Sequence, residues 1–284
     1  MKPEYLTKVS FFTSHKHLND LINHIYLIGI NSFEEQDNSV ILYLKPEETS
    51  KIINNIAVSF KNGDLDISVE HIKNRNWNEE WQKSIEPIFI GKRLVVYPTW
   101  KKNEVKNLKN FIKIQIDPKM AFGTGHNETT QLVLELMLRY INRKDKSLLD
   151  FGCGTGILAI AGVKMGILKA IANDTDIDSI DSAMENFKLN RVSGKIKLYR
   201  NTISDLSESG FNVICANIIS SVIKENLDYV YGKLKSNGKL FLSGILRKEE
   251  RNMINFLNKK RFTVLEIIRK SEWIGIYAVK DISK

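Results

Sequence analysis

Apolar residues in the last two thirds of the chain alternate between short strand-like runs and helical stripes. Helical stretches separate five runs: LLDF (148–151), KAIAND (169–174), IKLYR (196–200), FNVICAN (211–217) and GKLFLSGI (238–245). This alternation predicts an α/β domain with a doubly wound, mostly parallel sheet. Two runs near the end, FTVLEIIRK and WIGIYAVK, predict an adjacent antiparallel pair. We assign this domain to residues 87–284.

The first third of the chain has a different order of elements. The runs YLTKVSFF (5–12) and LDISVEHI (65–72) predict outer strands, and NSFEEQ (31–36) and VILYLK (40–45) predict a hairpin. One helix is predicted after Ser14, with apolar residues at i, i+3, i+4 and i+7 up to Gly29, and another from Pro46 to Asn62-Gly63. The order β-α-β-β-α-β predicts a small ferredoxin-like α+β domain over residues 1–72.

A tryptophan-containing segment connects the two predicted domains. Trp77 and Trp81 are four residues apart, which suits one face of a short helix, and we predict a linker helix over 73–86. We interpret the two indoles as side chains that hold the two domains together by packing, rather than as a ligand site. The following run, EPIFIGKRLVVYP, predicts a β-hairpin that turns at Gly91-Lys92.

Two glycine-rich stretches lie close together, IDPKMAFGTGHNETT (116–130) and LLDFGCGTGIL (148–158). The second is a strand, a glycine turn and a helix start, which is where open α/β sheets bind ligands. Asp174 ends the next strand, 22 positions after Gly152. An acidic residue about 20 residues beyond such a turn is placed to bind ribose hydroxyls. We therefore predict a nucleoside ligand held by Asp174, with Asp176 as the next candidate.

The glycine spacing limits which nucleoside ligand is expected. Gly152, Gly154 and Gly156 give G-x-G-x-G with Asp150 two residues ahead, whereas the dinucleotide motif needs glycine at the position of Ile157. That residue argues against an NAD-dependent oxidoreductase, and no phosphate-binding GK[ST] is present. S-adenosylmethionine has ribose and adenine without pyrophosphate, and Asp150 could meet its charged amino acid end. A glycine turn without a ligand is the structural alternative.

The strand FNVICAN ends at Asn217, a candidate catalytic residue. In amino-methylating enzymes of this fold the same strand end carries Asn or Asp followed by Pro-Pro, and its side-chain oxygen accepts a hydrogen bond from the target amine. Here Ile218-Ile219 replace the prolines, which weakens assignment to the adenine or glutamine N-methyltransferases. The alternative is that Asn217 is ordinary turn chemistry at a strand end.

Composition and charge indicate which class of partner the protein binds. The chain of 284 residues is 43% hydrophobic and 26% charged, with no apolar run long enough to span a membrane and no signal-peptide pattern at the start. Its formal charge of +9 favours nucleic acid or a nucleoprotein particle as partner, although lysine is spread along the whole chain and could reflect genome composition. Cys153 and Cys215 lack metal-ligand spacing and suit a reducing cytosol, so we expect a cytoplasmic protein without a metal site.

The stretches IDPKMAFGTGHNETT, LLDFGCGTGILAIA, DTDIDSI and ANIIS, in this order, resemble the bacterial methyltransferases of large-subunit ribosomal protein L11. The resemblance covers roughly residues 75–280. It implies a class I methyltransferase that uses S-adenosylmethionine to methylate lysine ε-amines and the N-terminal α-amine of L11, free or on the ribosome. It also implies that the small N-terminal domain recognises the substrate. The positive charge would suit an additional contact with ribosomal RNA.

The resemblance also implies roles for individual residues. Thr130, Gly152, Asp174 and Asn217 would contact S-adenosylmethionine. The loop at 121–130 would close over the methionine end of the cofactor, through Phe122, Gly123, Thr124 and Gly125. The family often has His where this chain has Asn127, so neither His126 nor Asn127 is assigned a role in proton transfer.

Two competing functions are compatible with the same motifs. One is an RNA base N-methyltransferase of the same fold, which the positive charge favours and the missing Pro-Pro disfavours. The other is a non-catalytic ribosome-associated binding factor with a vestigial methyltransferase fold. Binding of S-adenosylmethionine would separate the vestigial fold from the two enzymes.

Overall fold

The computed structural model describes residues 5–28, 30, 33–36, 38–60, 64–73, 85–117 and 125–281. The chain divides into two compact units, Met1–Ser84 and Ile85–Lys284. Most of the predicted linker helix, including Trp77 and Trp81, lies outside the described residues, as do Phe122, Gly123 and Thr124.

The first unit has the predicted β-α-β-β-α-β order. Its elements are β1 (Tyr5–Thr13), α1 (His15–Leu27), β2 (Glu34–Gln36), β3 (Ser39–Leu44), α2 (Pro46–Ser59) and β4 (Leu65–Lys73). The sheet order is β2-β3-β1-β4 and every pairing is antiparallel. Its core packs Val9, Phe11 and Leu42 against Leu21 and Ile56 from the two helices. The ferredoxin-like prediction is confirmed.

The second unit contains a seven-stranded sheet. Its elements are α3 (Glu128–Tyr140), β8 (Ser147–Phe151), α4 (Ile157–Lys164), β9 (Lys169–Asp174), α5 (Ile177–Leu189), β10 (Ile196–Arg200), β11 (Phe211–Asn217), α6 (Ser220–Lys233), β12 (Leu234–Leu246), α7 (Glu250–Lys259), β13 (Phe262–Lys270) and β14 (Trp273–Lys280). The order is β10-β9-β8-β11-β12-β14-β13. The first five strands are parallel, and β14 is antiparallel to both of its neighbours. The doubly wound sheet and the antiparallel final pair are confirmed.

The central strands are apolar on both faces, which places helices on both sides of the sheet. Leu148 packs in one core cluster and Leu149 in the other, because successive side chains of a strand point to opposite faces. Helices α3, α4 and α5 cover the first face, and α6 and α7 cover the second. None of the helices within these described ranges is long and apolar enough to cross a membrane.

A small three-stranded sheet precedes the large one. Strands β5 (Ile88–Ile90) and β6 (Leu94–Tyr97) form the predicted hairpin, and β7 (Ile112–Gln115) pairs in parallel with β6. Strand β7 was not predicted from the sequence, because four residues are too few to show a clear period. Its parallel partner is also separated from it by a long connection. Leu94, Val96 and Ile114 face the main core.

Candidate active site

An open cavity of about 740 Å³ lies at the carboxyl ends of the parallel strands in the second unit. Residues that follow β8, β9, β10 and β11 line it, together with the start of α3, Gly244 of β12 and Trp273 of β14. The strand order reverses between β8 and β11, and ligands of open α/β sheets bind at such a switch point. The position of the cavity therefore agrees with the site that the motifs predicted.

The glycine loop after β8 forms the floor of this cavity. The backbone N–H groups of Gly152 and Cys153 both donate to the carbonyl oxygen of Asn173, at 3.0 Å each, which ties the loop to the end of β9. Gly152 and Gly154 line the cavity, whereas Gly156 lies behind it against Phe187. Gly152 has φ +70°, and a Cβ atom there would come within 2.5 Å of Ile218 Cγ2. Only glycine lets the two loops approach so closely.

Asp174 lies at the end of β9 and lines the cavity. Its Oδ2 accepts from the Gly154 backbone N–H at 2.9 Å, and its Oδ1 accepts from the Asp176 backbone N–H at 3.1 Å. These two bonds fix the plane of the carboxylate and leave each oxygen able to accept another hydrogen bond. This arrangement suits a ligand with two adjacent hydroxyl groups.

Asp176 has a structural task in this geometry. It is the N-cap of α5, and its carboxylate accepts from Asp178 N, Ser179 N and the Ser179 hydroxyl. The Ser179 hydroxyl and then the Asp178 N–H are the main causes that lower the Asp176 pKa. Asp176 does not line the cavity. A contact between Asp176 and the cofactor stays a prediction.

Asp150 lies fully buried beneath the glycine loop and does not line the cavity. Its Oδ2 accepts from the Ala159 backbone N–H at 2.9 Å, and its buried Oδ1 has no hydrogen-bond partner. Burial raises the pKa of the Asp150 carboxyl to about 8; the bond from Ala159 opposes this and the charge of Asp174 adds to it. A cation beside Oδ1 would favour the ionised form. The predicted contact with the charged end of the ligand stays a prediction.

Asn217 and Thr130 meet at the wall of the cavity. The Asn217 amide Nδ2 donates to Thr130 Oγ1 at 3.0 Å, which leaves Asn217 Oδ1 buried without a partner. The side-chain oxygens of Asn173 and Asn201 are also buried and unpartnered, and both residues line the same cavity. Because an unpaired buried acceptor costs free energy, these three oxygens indicate a ligand that donates hydrogen bonds.

Gly125, His126 and Asn127 come directly before α3. Gly125 is buried against Val96 rather than in the cavity wall, and Gln131 Nε2 donates to the carbonyl oxygens of Gly125 and His126 at 3.0 and 3.1 Å. His126 and Asn127 line the cavity. Phe122, Gly123 and Thr124 lie outside the described residues, so their proposed contacts stay predictions.

Sequence reasoning missed several lining residues. Thr202 and Ile203 follow β10, and the rule that ligands bind at strand ends could have identified them. Trp273 comes from the β13–β14 hairpin, for which the motifs gave no signal. Gly244 was missed as well: at φ +80°, a Cβ atom there would lie 2.3 Å from the carbonyl oxygen of Ile218. Gly244 lies where the register of β12 shifts, and its lack of a side chain allows the backbone after Asn217 to pack against it.

Comparison with known proteins decides the family. The family model of the ribosomal protein L11 methyltransferases (PrmA) matches residues 10–281. A ribosomal protein L11 methyltransferase of Bacillus licheniformis is 30% identical over 274 residues, which are 93% of this chain and 88% of that protein. One from Clostridium perfringens is 32% identical over 248 residues, 87% of this chain and 77% of that protein. The crystal structure of the ribosomal protein L11 methylase of Lactobacillus delbrueckii subsp. bulgaricus superposes with a TM-score of 0.64 at 27% identity, over 69% of this chain and 100% of that one.

This chain belongs to the ribosomal protein L11 methyltransferase family. The resemblance inferred from the glycine motifs is thereby confirmed, and with it S-adenosylmethionine as the cofactor of this methyltransferase. Membership in this family also disfavours the competing assignments to an RNA methyltransferase and to a binding factor without enzymatic activity.

Replacing Asp174 with Ala should lower the affinity of the protein for S-adenosylmethionine. Loss of two charge-assisted hydrogen bonds to ribose, each worth about 1.5–3 kcal/mol, should lower affinity roughly 10- to 1,000-fold once water replaces them in part. Calorimetry with S-adenosylmethionine measures the change. Asp176→Ala is the matched control: it removes a helix cap and should change stability more than affinity. Equal losses in both variants would contradict this placement of the ribose.

Replacing Gly244 with Ala should impair methyl transfer while the fold is retained. The new Cβ would displace the Ile218 carbonyl and move Asn217, so we expect kcat to fall about tenfold or more, which corresponds to about 1.4 kcal/mol. Gly210→Ala is the control, because Gly210 has a similar φ of +75° but only the Lys235 Cε atom nearby, at 3.8 Å. If both variants keep the same kcat, close approach at Gly244 has no part in positioning Asn217.

Proposed function

We propose that this protein transfers methyl groups from S-adenosylmethionine to lysine ε-amines, and to the N-terminal α-amine, of ribosomal protein L11. The observation that carries the proposal is the unpartnered Oδ1 of Asn217 at the wall of the cavity. An oriented acceptor at this place can hold an amine that donates to it, beside a cofactor seated on the glycine loop.

The donor and acceptor chemistry of the cavity fits the cofactor. S-adenosylmethionine donates hydrogen bonds through its adenine amino group, two ribose hydroxyls and its ammonium group. The cavity offers an acceptor at Asp174, and the buried unpartnered oxygens of Asn173, Asn201 and Asn217 belong to residues that line it. The small glycine loop leaves room between these groups. When bound, the cofactor supplies a methyl carbon activated by a positively charged sulfur.

The protein contributes to the reaction by selecting the neutral form of the amine and aligning it with the methyl group. A lysine with a pKa of about 10.4 is only about 0.1% neutral at pH 7.4, which costs about 4 kcal/mol. Asn217 Oδ1 accepts a hydrogen bond from the neutral amine and directs its lone pair, while the hydrogen bond to Thr130 holds the amide still. Apolar walls at Ile218 and Ile219 lower the amine pKa by desolvation.

The first unit is proposed to recognise the substrate. Residues 1–84 carry 9 Lys and Arg against 12 Asp and Glu, a formal charge of −3, whereas residues 85–284 carry 33 against 21, a charge of +12. A protein that assembles on RNA generally presents a basic surface, which an acidic unit complements. We also propose a cytoplasmic location and L11 as the partner, free or on the ribosome.

The test is direct methylation of purified L11. With S-adenosylmethionine present, mass spectrometry should show methyl groups on lysines and on the N-terminus of intact L11. L11 acetylated at its N-terminus should lose only the α-amine products, and L11 with chemically acetylated lysines should lose only the ε-amine products. If methyl groups enter ribosomal RNA but not L11 when both are supplied in the same assay, the protein substrate is wrong.

Asn217→Ala should slow methyl transfer with a smaller effect on the KM for L11. One lost hydrogen bond at the reacting amine is worth about 1–3 kcal/mol, so kcat should fall roughly 5- to 150-fold. Asn226→Ala is the matched control, because Asn226 also lines the cavity but its amide is bonded to the Val222 carbonyl at 3.0 Å. A loss of kcat as large in the control would remove the special role of Asn217.

A further inference from the structure

The segment between β6 and β7 folds as a series of tight turns over the outer face of the three-stranded sheet. Successive backbone N–H groups donate to carbonyl oxygens three residues earlier, as from Glu104 to Lys101 and from Leu108 to Val105. Val105 is buried against Val95 and Tyr97 of β6. The apolar side chains of the segment therefore point inward, and its polar side chains are left outside.

The outer side of these turns presents three lysine–asparagine pairs. They are Lys102-Asn103, Lys106-Asn107 and Lys109-Asn110, and all six residues are exposed. Cations and amide groups thus alternate along this exposed ridge of turns, which carries cationic and neutral hydrogen-bond donors. A ridge of this chemistry suits a chain of phosphate groups.

Further positive charge converges on the same ridge. The Ile112 backbone N–H donates to the Arg93 carbonyl oxygen at 2.7 Å, which brings the β5–β6 turn, with exposed Lys92 and Arg93, beside the end of the segment. Lys113 Nζ donates to the carbonyl oxygen of Lys106 at 2.9 Å. We call the exposed residues Lys92, Arg93, Lys102, Lys106 and Lys109 the basic surface.

The described acidic residues between 86 and 117 bond to groups outside the basic surface. Between residues 86 and 117, seven Lys and Arg stand against three Asp and Glu. Glu86 and Glu104 both pair with Lys101, at 2.8 and 3.0 Å, and Asp117 accepts from the backbone N–H and hydroxyl of Thr99. Among the residues that the structure describes, no acidic side chain forms an ion pair with the five side chains of the basic surface.

An exposed aromatic ring lies on the same sheet face. Phe89 is 55% exposed and meets Phe111 edge to face, with ring centroids 5.6 Å apart. In the strand register Phe89 is opposite Val95, and Val95 is opposite Lys113, so the ring and the lysine belong to one row. A ring beside a phosphate-binding ridge is where a nucleotide base can stack.

We infer that the basic surface together with Phe89 binds single-stranded RNA, with the lysines on the phosphates and Phe89 under a base. An anionic membrane would use the charge but not the stacking ring or the amides. The surface is separate from the methyl-transfer cavity, since none of its residues lines that cavity. It would hold the enzyme near nucleoprotein without taking part in chemistry.

The experiment is fluorescence anisotropy of a labelled single-stranded 12-nucleotide RNA titrated with the full-length protein between about 50 and 200 mM salt. Loss of three phosphate contacts in the triple variant K102Q/K106Q/K109Q should reduce the salt slope by about 2. It should weaken binding about 100-fold near 0.1 M salt. Phe89→Ala should weaken binding about 5-fold or more with an unchanged slope, because stacking is not ionic.

The matched control removes three exposed lysines elsewhere in the same unit, K144Q/K235Q/K259Q, and should lose much less affinity than the first triple. Methylation of free L11 by K102Q/K106Q/K109Q should be unchanged, which keeps this test independent of the proposed function. Equal losses in the two triples would mean that only net charge matters and would overturn the inference. It would also be overturned if the protein bound phosphatidylserine vesicles but not RNA.

Discussion

Ile218 lies against two glycines at once, and the shape of the cavity depends on that contact. Its side chain occupies the space that a Cβ of Gly152 would need, and its backbone occupies the space that a Cβ of Gly244 would need. The glycine loop, the Asn217 turn and the register shift in β12 are therefore fitted to one another. The Pro-Pro pair expected after the strand end of amino-methylating enzymes is replaced here by Ile218-Ile219, and Ile218 packs closely against both glycines.

The cavity retains polar groups at a cost to the folded protein. The oxygens of Asn173, Asn201 and Asn217 are buried without partners, and the fully buried Asp150 has one bonded and one unbonded oxygen. Each unpaired acceptor lowers stability, because its hydration is lost and not replaced. Under the proposed function, a donor-rich ligand would restore these hydrogen bonds, so the groups that lower the stability of the fold would also favour binding of the cofactor.

Charge is divided unevenly between the two units. The first unit is formally −3 and the second +12, and the basic surface and the methyl-transfer cavity both belong to the second. If the acidic unit recognises the substrate as proposed, this division of charge would suit a substrate that contacts both protein and RNA. The net charge of +9 conceals this division, because it is the sum of two opposite contributions.

The sequence by itself determined the order of most elements and the class of ligand. The pattern of apolar runs predicted the four-stranded and the seven-stranded sheets, and the spacing of Gly152, Gly154 and Asp174 predicted a nucleoside ligand at the first strand turn. These signals are local, since strand periods and glycine turns depend on residues near each other in the chain.

Only the tertiary structure decided which residues meet. Gly244 follows Gly152 by 92 positions in the printed sequence, yet both touch Ile218, and the Thr130–Asn217 hydrogen bond spans 87 positions. Strand β7 forms because it pairs in parallel with β6, and a short sequence pattern cannot predict this pairing. The separate tasks of Asp174 and Asp176 also depend on the fold, because one carboxylate faces the cavity and the other caps a helix. Residue spacing fixes which groups are available, but distances across the sheet are set by packing.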